Sequence, residues 1–167
     1  AQMGFEYIYD MAYLQSQIEG GEYYDWYYAS EDDRATQTRT KISDALGKPF
    51  VYRQKDLRGW WQNQHYPRRN GHEQQATSWQ PGAKPIWFTE LGCPAVDKGS
   101  NEPNRFPDEK SFDGGLPYAS NGLRDDHIQR SLIRAWSDYW KTADQNPVSQ
   151  HYGAPMIDVS KFFIWAW

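Results

Sequence analysis

A glutamate ends a short apolar run, Ile-Trp-Phe-Thr-Glu, at residues 86–90. A proline precedes this run and a glycine follows it closely, which is typical of a buried strand of about five residues. Because side chains alternate across a strand, Ile86, Phe88 and Glu90 are predicted to share one face. The carboxyl end of a parallel strand is where α/β barrels place their catalytic residues, so Glu90 is a candidate catalytic carboxylate. The alternative is a surface glutamate at a strand exit, alone or paired with an arginine.

The other residues with ligand chemistry match no metal-binding motif. Six residues separate His65 from His72, a spacing that fits no zinc site, so both are interpreted as solvated loop histidines. The candidates for oxygen ligands are Asp97, Asn101 and Glu102, which could bind calcium, and the acidic pair Asp125 and Asp126. The first group lacks the spacing of an EF-hand and is interpreted as turn residues. The second suits the first turn of a helix better than a metal site. No metal and no cofactor is therefore predicted.

Aromatic residues are the unusual part of the composition. They make up 17% of the 167 residues, with 12 Tyr and 9 Trp. Tyr and Trp combine an apolar ring with a polar tip, so a surplus suits surfaces that bind sugars or proteins, although an aromatic core is the alternative. The formal net charge of −4 gives no basic footprint for nucleic acid. No apolar run approaches the roughly 18 residues of a membrane-spanning helix. Neither nucleic acid nor membrane insertion is predicted.

The candidate catalytic and binding side chains must be positioned by helices and strands. The spacing of apolar residues along the sequence predicts where these helices and strands lie. Helices are predicted over 5–18, from 31 to about 46 and over 122–141, with a helical turn at 56–61. Strands are predicted over 48–53, 84–90 and 162–167, whereas 23–28 is either a strand or an aromatic loop. Ser30 and Asn121 are the predicted N-caps of the second and third helices. Two long excursions, 54–83 and 95–121, are typical of functional loops.

The order of these elements indicates the fold class. Strands that alternate with helices predict an α/β sheet. Long loops after the strand ends favour a barrel, but a (β/α)8 barrel takes about 250 residues and rarely fewer than about 200. The prediction is therefore the carboxyl-terminal part of a (β/α)8 TIM barrel, incomplete in this chain, with residues 1–167 as a portion of one domain.

One segment of sixteen residues, 84–99, carries a resemblance to a known family. Its sequence is Lys-Pro-Ile-Trp-Phe-Thr-Glu-Leu-Gly-Cys-Pro-Ala-Val-Asp-Lys-Gly, and shorter matching segments lie at 23–30, 101–104, 124–130 and 163–167. Together they resemble the glycoside-hydrolase-like TIM-barrel domain of the tail-hub proteins of gene transfer agents and related siphophages. The resemblance extends from about Tyr9 to Trp167.

This resemblance implies a retaining glycosidase in which Glu90 is the nucleophile on the seventh strand. The acid/base carboxylate of the fourth strand is expected before residue 1, so the fragment alone is expected to be inactive. The resemblance makes residues 163–167 the eighth strand, whose Trp stacks on sugar. The candidate substrate-binding residues are Trp60 and Trp61 in the first long excursion, Trp165 and Trp167 in the last strand, and Tyr52 and Arg53 as partners of Glu90.

The partners that the resemblance implies are a bacterial surface or cell-wall polysaccharide and other tail proteins. The implied location is the tail of the particle. The alternative is a non-catalytic carbohydrate-binding or structural tail-hub domain, because a barrel fold alone does not give activity.

Overall fold

The computed structural model describes residues 4–44 and 46–165. They belong to two compact units. Of the described residues, the first unit comprises 4–15, 86–147 and 157–165, and the second comprises 16–44, 46–85 and 148–156. In chain order the helices are α1 (Met11–Ser16), α2 (Glu31–Thr36), α3 (Leu57–Gln62) and α4 (Asp126–Lys141). The strands are β1 (Trp26–Tyr27), β2 (Thr40–Lys41), β3 (Arg68–Arg69), β4 (His72–Glu73), β5 (Ile86–Leu91) and β6 (Ile157–Ile164).

The first unit is built on β5, α4 and β6, and the two strands pair in parallel. The Asp125 carboxylate caps α4 by accepting from the backbone N–H groups of His127 (3.0 Å) and Ile128 (3.1 Å). The buried core cluster consists of Leu14, Cys93, Ile128, Leu132 and Ala135. The apolar stripe of α4 thus packs inward, as its helical spacing predicts. The strand predicted over 84–90 is confirmed at Ile86–Leu91, and the long last helix predicted over 122–141 is confirmed with a later start, at Asp126.

Asn146 ties the end of α4 to the start of β6. Its side-chain amide donates to the carbonyl oxygens of Trp140 (2.8 Å) and Ile157 (2.9 Å), and its carbonyl oxygen accepts from the N–H of Ile157 (2.8 Å). Asn146 is buried, with 6% of its surface exposed. One side chain thus forms hydrogen bonds with the Trp140 carbonyl, the Ile157 carbonyl and the Ile157 N–H, which fixes where β6 begins.

The second unit consists of short elements joined by ion pairs. Two antiparallel hairpins, β1–β2 and β3–β4, lie in it. The second hairpin turns at Asn70 (φ 51°) and Gly71 (φ 79°), the left-handed pair that a two-residue hairpin turn requires. The ion pairs are Arg34–Glu22, Lys48–Glu73, Arg53–Asp25, Arg53–Asp56, Arg58–Glu19 and Arg68–Asp44. Several of these cations also lie over aromatic rings, which accounts for part of the aromatic surplus.

Three predicted elements are shorter than expected. The helix expected over 5–18 begins only at Met11, because the Asp10 carboxylate accepts from the N–H of Ala12 (2.8 Å) and caps the chain there. The helix expected from 31 to about 46 ends at Thr36, where Gln37 adopts the left-handed conformation (φ 58°). The third helix begins at Asp126 with Asp125 as its cap, so Asn121 is not the N-cap.

The strand expected over 48–53 is wrong. Pro49 instead starts a 3-10 turn over Pro49–Val51, in which the N–H of Val51 donates to the Lys48 carbonyl (3.1 Å). β6 spans Ile157–Ile164, earlier than the predicted 162–167, and the expected positions 166 and 167 lie outside the described residues. Within residues 4–44 and 46–165 the strands form three two-stranded sheets and no closed barrel.

Replacing Asn146 with Ala is expected to destabilise the protein by about 3 kcal/mol, because it leaves buried backbone groups of Trp140 and Ile157 without partners. Chemical denaturation monitored by circular dichroism measures this change. Asn104→Ala is the control, since Asn104 is exposed. Equal unfolding midpoints for the two variants would contradict the role of Asn146.

Candidate functional site

Helix α4 covers one side of the β5–β6 pair. The ring of Phe88 lies 5.1 Å from that of Trp136 on α4, measured between centroids. It also lies 5.2 Å from the ring of Phe162, its partner residue on β6. Phe88 and Phe162 therefore point to the side that α4 covers.

The pairing of β5 with β6 is irregular just before Glu90. Between the pairs Phe88↔Phe162 and Leu91↔Ile164, β5 advances by three residues while β6 advances by two. The extra residue reverses the alternation of side chains along β5. Leu91 is consequently buried, with 6% of its surface exposed, whereas Glu90 is exposed. The predicted common face of Ile86, Phe88 and Glu90 is therefore wrong, and Glu90 belongs to the opposite side.

That uncovered side, which we call the open face, carries Trp87, Glu90, Phe163 and Trp165. Trp87, Phe163 and Trp165 are each 52% exposed. Trp87 is next to Phe88 and Phe163 is next to Phe162, and both of these neighbours point to the covered side, so alternation places Trp87 and Phe163 on the opposite side. Trp165 follows Phe163 by two residues and therefore shares its side. The Glu90 carboxylate forms no hydrogen bond or ion pair with a described residue. The open face thus combines an exposed carboxylate with three exposed aromatic rings.

Gly92 allows the ends of the two strands to approach closely beside Glu90. The N–H of Trp165 donates to the carbonyl oxygen of Leu91 (3.0 Å). A Cβ atom at Gly92, whose φ is 157°, would lie 1.9 Å from the carbonyl oxygen of Trp165. Only a glycine fits there, so Gly92 sets the separation of Glu90 from Trp165 along the open face.

The segment after β5 is held against the start of α4. The N–H of Asp125 donates to the Ala95 carbonyl (2.9 Å), and the N–H of Asp97 donates to the Leu123 carbonyl (2.7 Å). The hydroxyl of Tyr9 donates to the Asp125 carboxylate (2.6 Å). This hydrogen bond, with burial and the nearby Asp125 charge, raises the pKa of Tyr9 to about 12. The loop that follows Glu90 is therefore fixed at several points.

Cys93 also follows Glu90, and it is fully buried. Burial, together with the charge of Asp125, raises the pKa of its thiol to about 12. The thiolate, which is the nucleophilic form, is therefore disfavoured at neutral pH. Cys93 serves as a core side chain.

Tyr52 and Arg53 lie in the second unit and already have partners there. The hydroxyl of Tyr52 accepts from the Arg68 guanidinium. Arg53 pairs with Asp25 (2.6 Å) and Asp56 (3.4 Å). These bonds use the polar groups that were predicted to support Glu90.

Trp60 and Trp61 both lie on α3, which confirms the helical turn predicted there. Trp61 is 4% exposed, and its indole N–H donates to the Lys84 carbonyl (2.7 Å). Its position is that of a core residue. Trp60 is 45% exposed and contacts the rings of His65 and Trp79. Trp167, the remaining candidate, lies outside the described residues.

The family model of the gene transfer agent (GTA) TIM-barrel-like domain matches residues 1–167. The chain belongs to this family. The resemblance stated from the residue segments is thereby confirmed, as is the TIM-barrel-like class of the domain. Comparisons with curated proteins and with solved structures find no match.

In the described part of this GTA TIM-barrel-like domain, no three His, Cys, Asp or Glu residues are grouped as a metal site would require. No helix among these residues is long and apolar enough to cross a membrane.

Gly92→Ala is expected to cost about 2 kcal/mol more than Gly153→Ala, because only the first places a methyl group against backbone. Gly153 is a matched control, since it also has a positive φ (67°) but no atom within 4 Å of an added Cβ. Denaturant midpoints measure both changes. Equal losses of unfolding free energy in the two variants would show that the Trp165 carbonyl oxygen does not lie close to Gly92.

Tyr9→Phe is expected to reduce the loss of stability above pH 10. The folded protein holds the Tyr9 proton up to its pKa of about 12, whereas the unfolded chain releases it near the ordinary value of 10.0. Stability from this group is therefore full below pH 10 and falls as pH rises towards 12. Unfolding free energies at pH 8 and pH 11 for both proteins test this, and a stability gap that does not narrow at the higher pH contradicts it.

Proposed function

We propose that this domain acts on a bacterial surface or cell-wall polysaccharide by retaining glycosidase chemistry, with Glu90 as the nucleophile. The observation that carries the proposal is the position of Glu90, an exposed carboxylate near the carboxyl end of a parallel strand and away from the covering helix. In α/β barrels the helices surround the strands, and catalytic residues come from the carboxyl ends of those strands.

The strand pair supports a placement within a barrel. β5, α4 and β6 form one strand–helix–strand unit with parallel strands, and a (β/α)8 barrel repeats this unit. We assign β5 to the seventh strand and β6 to the eighth. The open face then corresponds to the barrel interior, since α4 lies on the other side.

The chemistry requires Glu90 to attack the anomeric carbon of the sugar. A covalent glycosyl-enzyme forms as the glycosidic bond breaks, and a second carboxyl group about 5–5.5 Å away protonates the leaving oxygen. The same group then removes a proton from the water that releases the sugar. Trp165 supplies an exposed ring beside this position, on which the apolar face of a sugar can stack.

A non-catalytic glycan-binding role in the particle tail is the second candidate. It is favoured by the lack of any described hydrogen-bond partner for the Glu90 carboxylate, because a nucleophile is usually oriented by a neighbouring group. Under this role the exposed rings of the open face bind polysaccharide, and other tail proteins hold the domain.

Glu90→Gln in the full-length protein is expected to abolish the release of reducing sugar from bacterial cell-wall polysaccharide, because an amide cannot form the glycosyl ester. Polysaccharide binding and the melting temperature are expected to stay near wild type. Glu109→Gln is the matched control, since Glu109 is also exposed.

The two candidates give different results in that experiment. Turnover in wild type that Glu90→Gln removes, and Glu109→Gln preserves, supports the glycosidase. Unchanged turnover in Glu90→Gln excludes Glu90 as the nucleophile. Binding without turnover in the wild type favours the non-catalytic role.

A further inference from the structure

Two segments of the second unit, 60–66 and 74–83, are bonded to each other. The N–H of Thr77 donates to the His65 carbonyl (2.9 Å), and the side-chain amide of Gln64 donates to the Thr77 carbonyl (2.8 Å). The N–H of Gly82 donates to the Trp61 carbonyl (2.9 Å). The two segments therefore form one surface, which we call the neutral patch.

Three aromatic rings lie together in the neutral patch. The rings of His65 and Trp79 are stacked, with 1° between their planes and 5.0 Å between centroids. Trp60 lies 4.5 Å from His65 and 5.0 Å from Trp79 by the same measure. A nitrogen of the His65 ring lies 2.7 Å from the Trp60 carbonyl oxygen. These contacts restrain Trp60, so its 45% exposed indole loses little conformational freedom when a ligand binds.

Charged residues are absent from the sequence of both segments. Asp, Glu, Lys and Arg make up 24% of the chain, yet none of the 17 residues in 60–66 and 74–83 is one of them. Amide side chains are frequent instead, at Gln62, Asn63, Gln64, Gln74, Gln75 and Gln80. An amide both donates and accepts hydrogen bonds without carrying charge. It can therefore pair with sugar hydroxyl groups in either direction.

We propose that the neutral patch binds an uncharged oligosaccharide, with Trp60 as the stacking residue. A restrained, half-exposed indole suits the apolar face of a sugar ring, and the amides suit its hydroxyl or acetamido groups. Single-stranded nucleic acid also stacks on aromatic rings, but its binding needs a positively charged groove. The two segments carry no Lys or Arg, and the Lys48 ammonium that lies 3.8 Å from the centre of the Tyr66 ring is paired with Glu73 (2.7 Å). This inference rests on the proposed polysaccharide function and extends it by stating that the ligand is uncharged. Glu90 is not part of the neutral patch.

The test uses the full-length protein on an array of neutral and uronic-acid-containing oligosaccharides, followed by calorimetric titration with the best neutral binder. Trp60→Ala is expected to weaken that binding roughly tenfold or more, as for an aromatic anchor. Trp60→Phe, which keeps a ring, is expected to lose less than about threefold. Phe112→Ala is the control for an exposed aromatic residue outside the patch and is expected to bind as wild type does.

Salt provides an independent readout. Binding of an uncharged ligand is expected to change little between about 50 and 500 mM salt, whereas binding of an anionic polymer falls steeply over such a range. If Trp60→Ala does not fold, Trp60→Leu replaces it, because Leu keeps more apolar volume against His65 and Trp79 than Ala does and offers no flat ring. The melting temperature of each variant establishes that it is folded.

Three results would overturn the proposal. The first is the absence of any neutral binder on the array, and the second is equal weakening by Trp60→Ala and Phe112→Ala. The third is binding confined to anionic oligosaccharides and lost at high salt. None of these results depends on turnover. Loss of hydrolysis in Glu90→Gln with intact Trp60-dependent binding separates the patch from the glycosidase, so each proposal can fail alone.

Discussion

The packing of α4 against one side of the β5–β6 pair is the constraint on which the first unit depends. On that side Phe88 contacts both Trp136 on α4 and Phe162 on β6, and the buried core continues from α4 towards Leu14. Burial of this apolar surface stabilises the unit, and it also decides which side chains remain outside. Glu90 is left on the open face because Leu91 occupies the covered side. The candidate site is therefore a consequence of this packing, of the extra residue of β5 between Phe88 and Leu91, and of the close approach of the strands at Gly92.

The second unit is stabilised in a different way. Its elements are short, and Arg and Lys side chains join them through carboxylates and aromatic rings. The guanidinium of Arg53, for example, pairs with Asp25 and lies 4.2 Å from the centre of the Tyr24 ring. The Arg68 guanidinium lies over the Tyr52 ring. The high tyrosine content suggests sugar binding, but Tyr24 and Tyr52 instead form contacts within the protein. Trp60 differs from them because its ring contacts His65 and Trp79 while 45% of its surface stays exposed.

Sequence reasoning located the elements whose signal is local and strong. The stripe of α4 and the punctuation around β5 predict both elements, and a segment match predicts the family. Three features of the structure could not be predicted from such local signals. The 3-10 turn at Pro49 shares its Lys-Pro-apolar start with β5, so the pattern alone cannot distinguish them. The early end of α2 depends on the left-handed Gln37. The side on which Glu90 points depends on pairing with β6, a contact between residues about seventy positions apart in the chain. The ring cluster around Trp60 was only partly predicted, although the run of uncharged residues was a signal for it.

The extra residue between Phe88 and Leu91 has a consequence for how this domain can change during evolution. Point substitutions at Glu90 alter one side chain, but loss of a single residue in this interval would restore strict alternation. Leu91 would then follow Phe88 by two residues, as Ile164 follows Phe162, so Leu91 would stay on the covered side and the strands would pair in regular register. If Thr89 is the residue lost, Glu90 lies between these two positions and stays on the open face. Members of the family are therefore expected to vary in length by one residue in this interval without a compensating change in the facing strand.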